Sequence, residues 1–178
     1  MADGRQQLRR KHHDDATIAY CLFPGGTAVT QTPRHPVSVA AVVTNDNNRI
    51  LVIQRRDNGA WQLPGGVLEL DETPDAGVRR EVREETGVEV QPQRLTGVYK
   101  NMSLGAVALV FRAGLVAGTP AEIEESAAVA WWTADQVAAD MSAVFAVRIL
   151  DALRTDPTPA VRSHDGERLL DEHTNHRR

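Results

Sequence analysis

Three carboxylates on one predicted helix are the side chains in this sequence best placed to do chemistry. Glu81, Glu84 and Glu85 are three and four residues apart, so on a helix with about 100° between successive residues they share one side. Carboxylates at this spacing repel one another. A divalent cation would remove the repulsion, because Mg²⁺ and Mn²⁺ prefer hard oxygen ligands. The spacing alone leaves two interpretations open, a metal site and a solvent-exposed acidic face.

The residues around the acids define the helix that must hold them. We expect it to cover Pro74–Thr86, because Thr73 is a favourable N-cap, proline suits the first helical position and Gly87 is a typical C-terminal stop. Val78 and Val82 lie beside the acidic side and are expected to anchor the helix to a sheet. The chain would thereby hold the acids at the edge of a buried surface.

Two further helix residues are expected to shape the acidic side. Arg80 precedes Glu84 by four residues, a spacing that allows an ion pair and would hold that carboxylate in one rotamer. Gly77 lies over the same side and costs about 1 kcal/mol of helix stability relative to alanine. We expect its missing side chain to leave space for a ligand above the acids.

The rest of the chain predicts a mixed layer arrangement of strands and helices, an α/β or α+β class. The first two strands are joined by the turn residues 45–48, which is a hairpin signal. Residues 1–35 are expected to be an N-terminal extension with a short added strand at Thr17–Phe23, residues 36–154 the folded domain, and residues 155–178 a flexible tail without periodicity. The predicted elements are strands at Val37–Val43, Ile50–Ile53, Gln93–Tyr99, Ala106–Val116 and Ala128–Trp132, and late helices at Thr133–Ala139 and Ser142–Leu153.

Composition narrows the class of protein. The apolar fraction of 42% and the charged fraction of 25% are those of a globular protein. A net charge of −4 provides no basic field for nucleic acid, and no apolar run approaches the ~20 residues that span a bilayer. The single cysteine, Cys21, cannot form an intrachain disulfide, which favours a reducing cytoplasm. We therefore expect a cytoplasmic protein without nucleic-acid or membrane partners.

A longer pattern surrounds the acids and matches a known motif. Gly66 is followed after five residues by Glu72, and after seven more by the nine residues Arg80–Val88. Seven fixed and two aliphatic positions resemble the Nudix box, a match expected by chance on the order of 10⁻⁹ to 10⁻¹⁰ per window from average residue usage. The similarity extends over roughly Val37–Leu153. With the whole motif present, a metal site is favoured over a solvent-exposed acidic face.

The resemblance to the Nudix family implies a fold and a set of roles. It implies a mixed β-sheet sandwiched between helices, and hydrolysis of a phosphoanhydride bond in a nucleoside diphosphate linked to another moiety, with water attacking phosphorus. The implied cofactor is Mg²⁺, with Mn²⁺ as a substitute. The implied metal ligands are Glu81, Glu84, Glu85 and the carbonyl of Gly66, with Gly65, Glu72 and Gly87 as structural positions of the motif.

The general base and the substrate stay open at this point. Within the motif Glu84 or Glu85 is the expected base, with Arg80 as a further member of the catalytic set. Outside it, Glu124 or Glu125 precedes the last predicted strand, where some family members supply a base or an extra ligand. The remaining candidates are Arg55 and Arg56, which follow the second strand and could neutralise a substrate phosphate.

Two alternatives to the hydrolase differ in class. A Nudix-type module could bind and sense a nucleotide without cleaving it, although intact acids argue against a pure sensor. A Nudix-fold isomerase acting on an allylic diphosphate would need a core cysteine, whereas Cys21 precedes the similar region. Oxidised nucleoside triphosphates, dinucleoside polyphosphates, ADP-ribose and nucleotide sugars all remain open as small-molecule substrates. A homodimer is a further expectation from the family.

Overall fold

The computed structural model describes residues 34–121 and 126–170. The chain divides into two units, Met1–Arg34 and His35–Arg178, and the fold below is that of the second. The added strand predicted at Thr17–Phe23, Cys21 and the candidate acids Glu124 and Glu125 lie outside the described residues. Within the described ranges, no helix is both long enough and apolar enough to cross a membrane.

Nine strands and three helices follow one another in a mixed order in the described ranges. The β-branched runs form strands, and the two late helices begin after Thr133 and Ser142 as expected. The elements are β1 Val37–Thr44, β2 Ile50–Arg55, β3 Trp61–Gln62, β4 Gly65–Val67, α1 Pro74–Thr86, β5 Glu89–Asn101, β6 Val107–Ala117, β7 Ser126–Trp132, α2 Ala134–Asp140, α3 Ala143–Ala152, β8 Ala160–His164 and β9 Leu169–Leu170.

The sheet is mixed and divides at the turn between β1 and β2. β1 pairs in parallel with β6 and antiparallel with β4, whereas β2 pairs antiparallel with β7 and β3. β1 and β2 meet only at Thr44 and Ile50, so the predicted hairpin exists at its turn and its strands then separate. This separation lets β4 run beside the first half of β1, which brings Gly65 and Gly66 to the sheet.

Helices cover both faces of the sheet, because strand side chains alternate between the two faces. On β1, Val39 and Ala41 contact the side covered by α1, while Ala40 and Val42 contact the side covered by α2 and α3. Both sides are buried, which explains why β1 is apolar throughout rather than alternating. The predicted mixed sheet between helices is confirmed.

The prediction of a structureless tail is wrong for residues 160–170. β8 pairs in parallel with β5 along Gly97–Asn101, and β9 folds back onto β8. These strands satisfy their backbone groups by joining a sheet edge made by residues about sixty positions earlier. Local sequence carries no sign of that partner, since the segment is short and has no regular apolar pattern. His164, which the sequence placed in the tail, is 2% exposed.

Candidate active site

Helix α1 holds the acidic side at the edge of the sheet, with the bounds that its caps predict. The side chain of Thr73 accepts a hydrogen bond from the N–H of Ala76, and Gly87 ends the helix in a left-handed conformation with φ of 74°. Val78 and Val82 are fully buried against the sheet. The helix is therefore fixed at both ends and along one side, which orients Glu81, Glu84 and Glu85.

Two glycines on β4 allow close approaches, Gly65 to strand β1 and Gly66 to this helix. A side chain on Gly65 would overlap the carbonyl oxygen of Val39 and the backbone of Ala40. A Cβ on Gly66 would lie 2.5 Å from both carboxylate oxygens of Glu81. Gly65 thus lets β4 pack against β1, and Gly66 leaves a slot between β4 and α1. The carboxylate of Glu81 occupies this slot at 9% residue exposure.

Glu85 is held from two sides. Its carboxylate accepts a hydrogen bond of 2.6 Å from the backbone N–H of Gly65. Its backbone carbonyl accepts one of 2.9 Å from the hydroxyl of Ser126 at the start of β7. The carboxylate therefore faces the β4 backbone, next to the slot that holds Glu81.

Arg80 links three carboxylates of the motif. Its guanidinium donates to Glu72 at 2.6 Å, to Glu81 at 2.8 Å and to Glu84 at 3.0 Å. It also donates to the carbonyl of Val67 at 3.1 Å, which joins the end of β4 to the helix. The expected Arg80–Glu84 pair is present, as one part of a larger network.

Negative charge exceeds positive charge in this network. Hydrogen bonds from Arg80 hold the pKa of Glu72 below its ordinary value. In return, the hydrogen bonds to Glu72, and then those to Glu81 and Glu84, raise the pKa of Arg80. Three carboxylates, those of Glu72, Glu81 and Glu84, thus share one guanidinium. In the described ranges no three Asp, Glu, His or Cys side chains converge closely enough to form a ready ligand cluster. Hydrogen bonds to Arg80 and to Gly65 hold the acids instead.

The role expected for Gly77 is wrong. A Cβ there would lie 2.9 Å from Glu72 Oε1 and from Leu68 Cδ1, and 3.1 Å from Val39 Cγ2. The missing side chain therefore lets the helix approach β1 and the preceding loop, and it opens no space for a ligand. The sequence could not show this, because the contacting atoms come from other elements.

A cavity of about 360 Å³ lies beside the two glycines of β4. Arg55 lines it and donates to the carboxylate of Asp57 at 2.8 Å. The hydrogen bond to Asp57, opposed by partial burial, raises the pKa of Arg55, and the charge of Glu85 adds to the rise. Arg56 is exposed and is not among the residues that line the cavity. The structure therefore brings one of the two predicted arginines to the site.

Comparison with known proteins identifies the family. The family model described as NUDIX domain matches residues 34–153, about two thirds of the chain. The chain belongs to the Nudix family. A "MutT-like protein" of Streptomyces ambofaciens is 55% identical over 141 residues, which cover 79% of this chain and 91% of that protein.

Two further proteins resemble this chain, one with a named activity and one with a solved structure. An ADP-ribose pyrophosphatase of Methanocaldococcus jannaschii is 39% identical over 70 residues, 38% of this chain and 41% of that protein. A solved Nudix hydrolase of Nitrosomonas europaea matches with a TM-score of 0.61 at 27% identity, covering 71% of this chain and 93% of the other. The predicted resemblance is thereby confirmed, and the protein is a Nudix hydrolase, an enzyme class that splits pyrophosphate bonds.

Sequence reasoning missed several polar residues of the cavity, among them an arginine and a histidine. Arg148 on α3 and His164 on β8 both line it, and neither belongs to the Nudix box. Arg148 is one of two charged residues, with Asp151, in an otherwise apolar helix, which was the available signal. His164 offered none, because it follows the end of the family match at residue 153. The Nudix cavity is thus completed by a hairpin from outside the matched domain.

Proposed function

We propose that this Nudix hydrolase depends on a divalent metal, Mg²⁺ or in its place Mn²⁺, and cleaves a phosphoanhydride bond in a nucleoside diphosphate linked to another moiety. The observation that carries the proposal is the slot in which the carboxylate of Glu81 lies against Gly66. An acid in that position, beside Glu84 and Glu85, supplies the hard oxygen donors that these cations prefer. The excess of carboxylates over guanidinium in the network supports a cation of charge two.

The proposed ligands are Glu81, Glu84 and Glu85, with the backbone carbonyl of Gly66. When bound, the cation would neutralise phosphate oxygens and lower the pKa of a bound water. Arg80 holds two of these carboxylates in fixed rotamers through its hydrogen bonds, a positioning role of the kind that raises metal affinity.

Water attack on phosphorus requires a group that accepts a proton. Glu84 and Glu85 are the proposed bases, because the carboxylate of Glu85 lies next to the β4 backbone that borders the cavity and Glu84 precedes it on α1. The carboxylate of Glu85 accepts a hydrogen bond from the N–H of Gly65, which orients it toward that backbone. The earlier candidate Glu125 lies outside the described residues and stays a prediction.

The cavity is the proposed place of the nucleotide substrate. Arg55 lines it and is positioned to exchange its pairing with Asp57 for a substrate phosphate, since guanidinium groups bind phosphate through two parallel hydrogen bonds. Arg56 has no such support from the structure. The absence of nucleic-acid and membrane partners, the homodimer and the cytoplasmic location also stay predictions.

A substrate panel tests the proposal. The purified protein is incubated with ADP-ribose, 8-oxo-dGTP, diadenosine tetraphosphate and UDP-glucose, each with Mg²⁺, with Mn²⁺ and with EDTA, and the released nucleotide is measured by chromatography. We expect turnover of at least one compound with metal and none with EDTA. Metal-independent turnover would contradict the proposal. Tight binding of one compound without turnover in either metal would instead support the sensing module.

A further inference from the structure

The part of the cavity formed by Arg148 has unused hydrogen-bond donors. The buried Nε of Arg148 has no hydrogen-bond partner, and it is the one such side-chain atom among the described residues. No carboxylate of the described ranges pairs with this guanidinium, and burial lowers its pKa. A buried donor without an acceptor is costly, and the side chain that carries it lines the cavity, so the surroundings of this guanidinium favour an acceptor supplied by a ligand.

Aromatic rings hold the guanidinium in place. Arg148 Cζ lies 5.4 Å from the ring centre of Tyr99 and 5.0 Å from that of Phe145, within the range of cation–π contacts. Tyr99 is itself fixed by its hydrogen bond of 3.0 Å to Asp151. The guanidinium is therefore oriented before any ligand binds, which reduces the entropy that binding must remove.

His164 adds a second donor. The backbone N–H of Gly166 lies 3.1 Å from Nδ1 of His164 and can only donate, so Nδ1 must be the unprotonated acceptor. In the neutral ring the proton is then on Nε2, which lies 3.2 Å from a terminal nitrogen of Arg148. Two N–H donors thus face each other, and an acceptor oxygen beside them would satisfy both.

The remaining polar lining agrees with an anionic ligand. Asn101 lines the cavity, and its amide oxygen already accepts the backbone N–H groups of Ser103 and Leu104 at 3.0 Å each. The NH₂ group of Asn101 is therefore the part of its amide that can donate a hydrogen bond to a ligand. No Asp or Glu occurs among the described residues that line the cavity, whereas two arginines do. The lining formed by these described residues therefore has no carboxylate that would repel an anionic ligand.

We propose that Arg148, His164 and Asn101 form a subsite for a carboxylate or phosphate group carried by the substrate in addition to its diphosphate. The inference rests on the proposed function, because it takes the cavity as the substrate's place. It names the substrate class as nucleoside diphosphate derivatives with one further anionic group. Arg148 is the residue that determines this specificity, and the hairpin outside the matched Nudix domain supplies His164.

Matched substrate pairs test the subsite. UDP-glucuronate is compared with UDP-glucose for a carboxylate, and 2′-phospho-ADP-ribose with ADP-ribose for a phosphate. We expect the anionic member of at least one pair to have a kcat/KM about ten- to a hundredfold higher, as charge-assisted hydrogen bonds imply. Arg148→Met should abolish the difference, and Arg148→Lys should retain part of it. The matched control is Arg154→Met, an exposed arginine outside the cavity, which should retain all of it.

Equilibrium binding separates this inference from the proposed function. The same pairs are titrated calorimetrically in EDTA, where no metal-dependent turnover occurs. If the anionic member of a pair binds more tightly and Arg148→Met removes this preference, the subsite is supported. Absence of hydrolysis of every compound with Mg²⁺ or Mn²⁺ would overturn only the proposed function. Equal binding and equal kcat/KM within both pairs, or a preference that persists in folded Arg148→Met, would overturn the subsite.

Discussion

The guanidinium of Arg162 on β8 donates two hydrogen bonds, of 2.6 and 2.7 Å, to the carboxylate of Asp151 on α3. Asp151 is 6% exposed and also accepts the hydroxyl of Tyr99 at 3.0 Å. One buried carboxylate thus joins the C-terminal hairpin, the last helix and strand β5. Because this hairpin carries His164, the pair fixes one wall of the Nudix cavity.

Replacement of Asp151 by asparagine should destabilise the protein by about 2–3 kcal/mol near neutral pH, since one partner of a largely buried ion pair is lost. Burial acts to raise the pKa of Asp151, but the hydrogen bonds from Arg162 and Tyr99 outweigh it and the pKa is lowered. The stabilisation from the ionised carboxylate is therefore complete above pH 3.8, the ordinary pKa of an aspartate. It is lost as pH falls through the lower pKa of Asp151 in the folded protein. Urea denaturation of both proteins from pH 7 to pH 2.5 measures this. A loss that is independent of pH would contradict the assignment.

Stability should also depend on the charge of His164. Burial, and then the positive charge of Arg148, lower the pKa of His164 below 6.5. The unfolded chain then binds the proton more tightly, so the protein loses stability as pH falls below 6.5 toward the folded pKa. Thermal melting at pH 7.5 and pH 5.5 should show a smaller drop in Tm for His164→Gln than for the natural protein. The same drop in both would exclude His164 as the cause.

A methyl group in the slot between β4 and α1 should impair the active site. Gly66→Ala places a Cβ 2.5 Å from the carboxylate of Glu81, so the acid or the strand must move. We expect kcat/KM to fall by at least about tenfold, as displaced metal ligands imply, with a stability loss of about 1–3 kcal/mol from overpacking. The control is Gly114→Ala, whose Cβ meets only the flexible amide of Gln93 at 2.9 Å. Unimpaired catalysis by Gly66→Ala would show that the slot is not required.

Glu85→Gln tests the proposed ligand and base directly. The amide oxygen can still accept a hydrogen bond from the N–H of Gly65, so the fold should survive. The variant lacks the negative charge that is proposed to bind the metal and to accept a proton. We expect kcat to fall by two or more orders of magnitude. Glu89→Gln, an exposed acid at the start of β5, serves as the control. Steady-state kinetics and circular dichroism are the measurements, and an unchanged kcat would remove Glu85 from the site.

Arg80→Gln should affect metal dependence more than substrate binding. The change releases Glu81 and Glu84 from hydrogen bonds of 2.8 and 3.0 Å, which leaves their carboxylates less ordered. We expect the Mg²⁺ concentration for half-maximal rate to rise about ten- to a hundredfold. The matched control is Arg79→Gln, an exposed neighbour that donates to Gln91 at 3.4 Å. Identical Mg²⁺ titrations for the two variants would contradict the positioning role.

Local sequence was sufficient for helix α1 and its surroundings. The N-cap at Thr73, the left-handed stop at Gly87 and the Arg80–Glu84 pair all depend on residues within a few positions of each other. Propensity, capping and side-chain spacing act over that same range. The Nudix motif lies in this same segment, and the resemblance it carries implied the mixed sheet between helices; comparison with known proteins confirmed both.

Tertiary structure alone decided the features that depend on residues distant in the chain. The side chain of Glu72 fills the space beside Gly77, and β5 supplies the partner for β8. Arg148 and His164 meet 3.2 Å apart from two separate elements. No pattern in the five residues of β8 shows which sheet edge will satisfy its backbone groups. The sequence by itself therefore determined the acidic helix and its family, whereas the packing of the final hairpin decided which groups line the far wall of the cavity.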